Sequence, residues 1–131
     1  MPRLTIGELA RKAGVGVETV RYYQRRGLFP EPARQPRSTR EYSPEALALL
    51  RFIRRARGLG FTIKEIERLL ALRQSRKESG ELTTMLAEKA ADLEREVRTL
   101  QGAVAALKDI AARCAETPPA QQWRLFDSEE E

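Results

Sequence analysis

Residues 4–28, LTIGELARKAGVGVETVRYYQRRGL, contain the pattern that decides the fold of this chain. Their first apolar residues recur at spacings of three, four and seven, which predicts an amphipathic helix over residues 6–13. Thr5 and Glu8 have the spacing of a capping box, in which each residue bonds the backbone N–H of the other. Gly14 follows, and glycine is the residue best suited to the left-handed conformation that ends a helix. The stretch therefore begins with a capped helix and a tight turn.

A second helix is predicted over residues 17–25, with Gly27 as its stop. A helix, a tight turn and a second helix are the parts of the helix-turn-helix, whose second helix lies in the major groove of DNA. This second helix is rich in arginine and tyrosine. Arginine bonds guanine edges or phosphates, and threonine and tyrosine hydroxyls bond phosphates. A single surface arginine is usually only solvated, so the inference of DNA binding depends on the whole set.

The residues after this stretch predict a wing and two further helices. Three prolines between residues 30 and 36 exclude a helix there. Residues 37–42 are predicted to form a short strand of a β-wing. A serine followed by proline then starts a helix over about 44–57, and a second threonine–glutamate capping box starts another over about 63–72.

The last long segment has a seven-residue repeat. Leucine recurs at every seventh position from 86 to 107, which we call the leucine line, and valine or alanine follows each leucine by four, which we call the small line. This is the seam of a coiled coil. A lone helix cannot bury such a seam, so we expect an antiparallel coiled coil with a second copy, with packing onto its own head as the alternative. The predicted seam residues are Leu86, Leu93, Val97, Leu100, Val104 and Leu107.

The chain divides by composition into a basic head and a slightly acidic remainder. Residues 1–72 hold 15 Lys and Arg against 7 Asp and Glu, whereas residues 73–131 hold 9 against 12. A basic half favours a polyanion as partner. We predict a DNA-binding domain over 1–75, a linker over 76–81, a dimerisation helix over 82–116, and a C-terminal segment with an acidic tail over 117–131.

Composition also excludes several functions. The chain has no histidine and one cysteine, Cys114, so an internal disulfide and a histidine-dependent catalytic triad are both excluded. No phosphate-binding loop is present, and we expect no enzyme activity. No apolar run reaches the ~18 residues of a membrane span and no secretion signal is visible, so we expect a cytoplasmic protein without a membrane partner, nucleoid-associated when bound to DNA.

Taken together, residues 4–72 resemble the MerR family of bacterial transcription regulators. The matching motifs, in order, are IGELA (6–10), GV (14–15), VETVRYY (17–23), RGL (26–28), REY (40–42) and LGFT (59–62). The resemblance implies a mainly α protein with a winged helix-turn-helix head and an antiparallel coiled-coil homodimer. It also implies a palindromic site in promoter DNA, which the regulator distorts to control RNA polymerase in response to an effector. Sequence-dependent deformation of DNA would then act as the switch.

The resemblance also assigns roles by position. Glu18, Thr19 and Arg21 would face the major groove. The residues that would hold the DNA backbone or form wing contacts are Tyr22, Tyr23, Arg37, Arg40, Tyr42 and Lys64. One departure is Gly16, where many members have a serine or threonine cap; glycine there costs only a few tenths of a kcal/mol.

The effector is not indicated by the sequence, and the cofactor stays unknown. Metal-sensing members have cysteines after the long helix, and this chain has Cys114 there without a second. Soft ions need at least two thiolates. Three interpretations of Cys114 stay open: a packing residue, a redox or electrophile sensor, and an unusual metal ligand. The alternatives to an effector-controlled regulator are an architectural or excisionase-like DNA-binding protein and a coiled coil that only binds other proteins.

Overall fold

The structure, a computed structural model, describes residues 3–31, 41–76 and 80–127. Its contacts divide the chain into two units, Met1–Leu82 and Thr83–Glu131. The elements in order are α1 (Ile6–Ala13), α2 (Val17–Arg25), α3 (Pro44–Gly58), α4 (Ile63–Ser75), α5 (Glu81–Cys114) and a 3₁₀ helix (Pro119–Phe126). The fold is therefore mainly α, as the sequence predicts.

The first turn of α1 is held by the predicted capping box. The Glu8 backbone N–H donates to Thr5 Oγ1 at 3.2 Å, and the Thr5 backbone N–H donates to Glu8 Oε1 at 2.9 Å. The hydrogen bond from the Thr5 backbone lowers the pKa of Glu8 below its ordinary value, because it stabilises the charged carboxylate. Thr62 and Glu65 repeat the arrangement at the start of α4.

The turn between α1 and α2 depends on Gly14. Its φ of 75° lies in the left-handed region, which glycine adopts without steric cost. The Val15 N–H reaches back to the Ala10 carbonyl at 3.0 Å, closing the helix end in the manner of a Schellman motif. The turn is thus determined locally, and it sets where α2 begins.

The core of the head forms where α3 packs against α1 and α4, and α1 packs against α2. Large side chains with almost no exposed surface come from each of these helices and from the segment after α2. They are Leu9, Val20, Phe29, Leu50, Ile53 and Ile66. Because α2 contributes to this core with one face only, its other face is available for binding.

All five predicted helices are found, some with shifted ends. The bounds of α1 and α2 are as predicted, and α3 ends one residue later than expected. α4 continues to Ser75, past the predicted end near Leu72, because arginine, glutamine and serine there are tolerated on an exposed helix surface. The 3₁₀ helix after α5 was not predicted.

The predicted wing strand falls mostly outside the described residues. Of residues 37–42, only Glu41 and Tyr42 are described. Tyr42 forms an isolated antiparallel bridge with Leu4, through N–H···O bonds of 2.7 and 2.9 Å. No strand is formed elsewhere in the described part of the chain.

α5 is a continuous helix of 34 residues. The six predicted seam residues, from Leu86 to Leu107, are between 39% and 61% exposed in the single chain. Among residues 3–31, 41–76 and 80–127, none of the helices combines the length and the apolar character needed to span a bilayer.

Candidate nucleic-acid interface and the segment after α5

The outer face of α2 carries four exposed side chains. They lie at spacings of three, four and seven, which places them on one side of the helix: Glu18, Arg21, Tyr22 and Arg25. Val20, on the opposite side, has no exposed surface. The core thus holds α2 by its apolar side and leaves two arginines, a carboxylate and a phenol in solvent.

Tyr22 is oriented by a neighbour one turn along. Arg26 Nη1 donates to the Tyr22 hydroxyl at 3.3 Å, and the guanidinium lies 6.0 Å from the centre of the Tyr22 ring. A cation at this distance from a ring face is attracted to it. The pair keeps a phenol and a positive charge together at the end of α2, a combination suited to a phosphate.

Tyr23 and Tyr42 lie in the core of the head. They are only 6% and 3% exposed. Tyr42 stacks on Phe29 with ring centres 5.9 Å apart, and its hydroxyl accepts a bond from Gln24 Nε2 at 2.7 Å. Both rings therefore serve to fix α2 against the head, a role that the sequence analysis did not assign to them.

The remaining residues predicted to contact DNA lie on different parts of the chain. Thr19 is half-buried on α2, and Lys64 is exposed in the first turn of α4. Arg37 and Arg40 lie outside the described residues. The structure thus brings Glu18, Thr19, Arg21 and Tyr22 together on α2 and leaves Lys64 on a separate element.

Two arginines of α3 support the helix-turn-helix, a role that their sequence context does not indicate. The Arg54 guanidinium lies over the turn, with its Cζ 3.3 Å from where a Cβ on Gly14 would stand. Arg51 Nη2 donates to the Lys12 carbonyl at 3.3 Å, near the negative end of the α1 dipole. Their three-residue spacing on one helix was visible in the sequence, but the position of α1 beside it was not.

The segment after α5 is closed by hydrogen bonds around Cys114. Gln122 Nε2 donates to the carbonyls of Cys114 and Thr117, at 3.0 and 3.1 Å. Thr117 in turn donates from its hydroxyl to the Arg113 carbonyl at 2.6 Å. The Arg113 and Cys114 carbonyls also accept backbone N–H bonds from Glu116 and Thr117, both at 3.1 Å, so backbone and side-chain donors together close the helix end.

Within one chain, the described residues near Cys114 offer a soft metal ion a single thiol. Cys114 is a free, half-buried thiol, and it is the only cysteine of a chain that has no histidine. No group of three or more potential ligand side chains occurs among the described residues. Soft ions select thiolates, and carbonyls already bonded to Gln122 are poor substitutes.

An exposed aromatic pair ends the described chain. Trp123 and Phe126 stack with ring centres 6.1 Å apart, and they are 75% and 58% exposed. By the family resemblance, Trp123 or Gln122 stands about where metal-sensing members have a second cysteine.

Comparison with protein families gives two matches along the chain. Residues 4–72 match a family described as MerR HTH family regulatory protein. Residues 47–110 match a family described as MerR, DNA binding. Together the two matches span both the helix-turn-helix and most of α5.

Individual relatives match this chain over most of its length. The chain is 38% identical to a mercuric resistance operon regulatory protein of Bacillus cereus, over 96% of each chain. It is 36% identical to the regulator PbrR691 of Ralstonia metallidurans CH34, whose structure was solved in complex with lead(II). The match covers 83% of this chain and 85% of the regulator, with a TM-score of 0.72. For the mercury(II) complex of the regulator MerR of Bacillus megaterium MB1, identity is 34%, the TM-score is 0.65, and coverage is 88% and 90%.

Proposed function

The chain belongs to the MerR family of DNA-binding transcription regulators, which are not enzymes, and from this premise we propose how it binds and controls a promoter. It binds a palindromic site in double-stranded promoter DNA as a homodimer. It distorts that DNA, and the distortion changes how RNA polymerase engages the promoter. The relatives lend no support to an excisionase-like role.

The observation that carries the proposal is the outer face of α2. Arg21 lies at its middle, between Glu18 one turn earlier and Arg25 one turn later, and all three are exposed. An arginine at the centre of such a face can donate two hydrogen bonds to a guanine edge in the major groove. Glu18 can accept from a cytosine amino group, and Thr19 can bond either a base or a phosphate.

The backbone contacts follow from the remaining exposed groups. Tyr22, held by Arg26, donates its hydroxyl to a phosphate beside the groove. Lys64 adds a positive charge near the N-terminus of α4, where the helix dipole also favours an anion. We keep Arg37 and Arg40 as wing contacts on the basis of the family resemblance. Tyr23 and Tyr42 act by holding α2 in place, since both are buried.

The homodimer is supported by the exposed seam of α5. Six apolar seam side chains on one helix would each lose solvent contact against a second copy, and burial of apolar surface drives association. An antiparallel pair of α5 helices places the two heads at opposite ends of the coiled coil. Two heads related by a twofold axis match a palindromic site.

The first experiment tests Arg21. The operator is selected from random duplexes, and binding of the dimer is then measured at several salt concentrations. Arg21→Ala should weaken specific binding by about 1–3 kcal/mol for each half-site and relax the base preference at one position of each half-site. Sedimentation should still give a dimer.

The matched control is Arg98→Ala, which removes an exposed side chain of the same type, but from α5. It should leave specific affinity within about twofold of the parent chain, a loss of ~0.4 kcal/mol at most. Equal affinity of Arg21→Ala and the parent chain would show that Arg21 does not contact the DNA. Binding without salt dependence would contradict a contact with the phosphate backbone.

For the effector, we propose that Cys114 is a packing residue at the end of the seam and that the chain does not respond to a soft metal ion held by thiolates. Free buried cysteine behaves as a small apolar residue. The relatives above are named for mercury or bound to lead. This chain keeps their fold but offers one thiol and no histidine.

The test is transcription from a promoter that contains the selected operator, with Hg(II) or Pb(II) added, for the parent chain and for Cys114→Ser. We expect both proteins to bind DNA equally and neither metal to change the output of either. A metal-dependent change that the substitution abolishes would make Cys114 a metal ligand. A change in output caused by an oxidant and lost in Cys114→Ser would establish a redox sensor instead.

A further inference from the structure

Apart from the face of α2 that is proposed to contact DNA, the head has a shallow groove between α3 and α4, which we call the α3–α4 groove. Its volume is about 320 Å³. Leu70, Arg73 and Gln74 are spaced by three and four, which places them on one side of α4. The described residues that border the groove are Leu49 of α3, and Leu70, Arg73, Gln74 and Arg76 of α4 and its C-terminal end. Two apolar side chains thus lie beside two guanidinium groups and an amide.

The guanidinium group of Arg73 is held in place by an aromatic ring. Its Cζ lies 5.2 Å from the centre of the Phe52 ring, a distance at which the face of a ring attracts a cation. Phe52 is half-buried on α3. Stacking uses the flat face of the guanidinium group and leaves the N–H donors at its edge available. Arg73 is therefore oriented and can still donate hydrogen bonds to a ligand.

Arg76 brings a second guanidinium group to the end of the groove. It caps α4 with φ of 55°, in the left-handed region where a side chain is disfavoured. Glycine is the usual residue at such a helix end, so the backbone conformation does not explain an arginine there. A cation near a helix C-terminus is favourable, and Arg73 already supplies one. The second guanidinium group is thus available to a ligand of the groove.

The positive charge of the groove is not balanced by carboxylates of the described residues. Glu45 and Glu67 each lie one turn before a leucine that borders the groove, and neither borders it. In the described part of the chain, no ion pair joins Arg73 or Arg76 to a carboxylate. Two guanidinium groups without such a partner favour an anion as ligand. The neighbouring leucines favour an anion that also has an apolar part.

The size of the groove limits the ligand to a small molecule. Ligand pockets range from ~300 to ~1,000 Å³, and this groove lies at the lower end of that range. Guanidinium groups pair with carboxylates through two parallel hydrogen bonds. We propose that the α3–α4 groove binds a small organic carboxylate that has an apolar part. The carboxylate pairs with Arg73 and Arg76. The apolar part covers Leu49 and Leu70.

The groove is separate from the DNA contact proposed for α4. Lys64, in the first turn, precedes Arg73 by nine residues. At ~100° and ~1.5 Å per residue, the two side chains leave α4 on opposite sides and about 13 Å apart along its axis. The described residues that border the groove all belong to the first unit, Met1–Leu82. The site thus gives the regulator proposed above a small-molecule ligand that requires no cysteine.

The test uses benzoate as the probe, because it joins a carboxylate to a small apolar ring. Binding to the full chain is followed by NMR of the backbone amides, without DNA and at constant ionic strength. We expect saturable shifts at the residues that border the groove. Benzyl alcohol has the ring without the charge, and inorganic phosphate has the charge without the ring. Each should bind about tenfold more weakly than benzoate.

Two substitutions each remove one guanidinium group. Arg73→Gln and Arg76→Gly should each weaken benzoate binding about tenfold, as expected for the loss of a charge-assisted hydrogen bond. Glycine suits the left-handed backbone at position 76, so unfolding would not explain a loss of affinity in Arg76→Gly. The matched control is Arg68→Gln, which is also exposed on α4 but does not border the groove. Its affinity should stay within about twofold of the parent chain.

Several results would overturn the proposed ligand. Shifts that do not saturate would show that the groove holds no carboxylate. Equal affinity for benzoate and for either other probe would contradict a ligand that needs both a charge and an apolar part. Loss of operator binding by Arg73→Gln without benzoate would assign this arginine to DNA instead. Because benzoate binding is measured without DNA, a chain that binds benzoate but selects no operator would contradict the proposed regulator and not the ligand site.

Discussion

At the residue scale, two glycines that flank one turn have different physical roles. Gly14 has φ of 75°, and an added Cβ would stand 3.3 Å from Arg54 Cζ. Gly16 has an extended backbone with φ of −84° at the start of α2 and makes no side-chain cap. Open space surrounds it within 4 Å. The first position requires glycine and the second only tolerates it.

We expect Gly14→Ala to lower the free energy of unfolding by about 1–2 kcal/mol, because a side chain disfavours the left-handed conformation. Gly16→Ser is the matched control and should raise the same quantity by a few tenths of a kcal/mol by adding a helix cap. Both are measured by urea denaturation. A neutral Gly14→Ala would show that the turn can adopt another conformation.

At the same scale, the two adjacent tyrosines show that motif position and helical period can assign different roles to neighbouring residues. Tyr22 and Tyr23 are adjacent, and motif position treated both as DNA contacts. The helix turns by about 100° between them at ~3.6 residues per turn, so Tyr22 is 40% exposed and Tyr23 only 6%. The helical period alone was sufficient to separate them, since Val20 and Tyr23 lie on the same side as the predicted apolar face.

At the scale of the element, the short helices are determined by their ends and α5 by its seam. Capping boxes begin α1 and α4, and Ser43 with Pro44 begins α3. α5 instead keeps one continuous helix for 34 residues even though Gly102 lies in its interior. Gly102 falls on the side opposite the seam, and nothing lies within 4 Å of where its Cβ would be.

We therefore expect Gly102→Ala to stabilise the protein by about 1 kcal/mol per chain, because alanine has the higher helix propensity. Ala106→Gly, also exposed on α5, should destabilise it by a similar amount. Thermal unfolding at fixed protein concentration measures both. A loss of stability in Gly102→Ala would mean that another chain approaches this side of the helix.

At the scale of the whole molecule, the exposed seam connects the second unit to DNA binding by the first. A monomer presents one α2, whereas a palindromic site is contacted by two. Loss of the seam should therefore weaken binding to the operator even though the seam itself does not touch DNA.

Leu100→Asp places a charge in the seam and should convert the dimer to monomer, because an unpaired buried charge is strongly unfavourable. Thr99→Asp, on the neighbouring exposed position, should leave the dimer intact. Sedimentation and operator binding are measured for both. A dimeric Leu100→Asp protein with normal affinity would contradict the assignment of the seam.

The amino-acid sequence by itself determined the features that depend on neighbouring residues. The bounds of α1 and α2, the left-handed Gly14 and the heptad lines of α5 follow from capping, backbone sterics and periodicity, which act over a few residues. The resemblance to the MerR family was likewise readable from short motifs, and the family comparison confirms it.

Only the tertiary structure decided which side chains the head buries. Tyr42 became a core residue because residues far apart in sequence bring it against Phe29, Gln24 and Leu4. Arg54 came to lie over Gly14 because α3 packs against α1. Such contacts join separate segments, and periodicity within one segment carries no information about which neighbour it will meet.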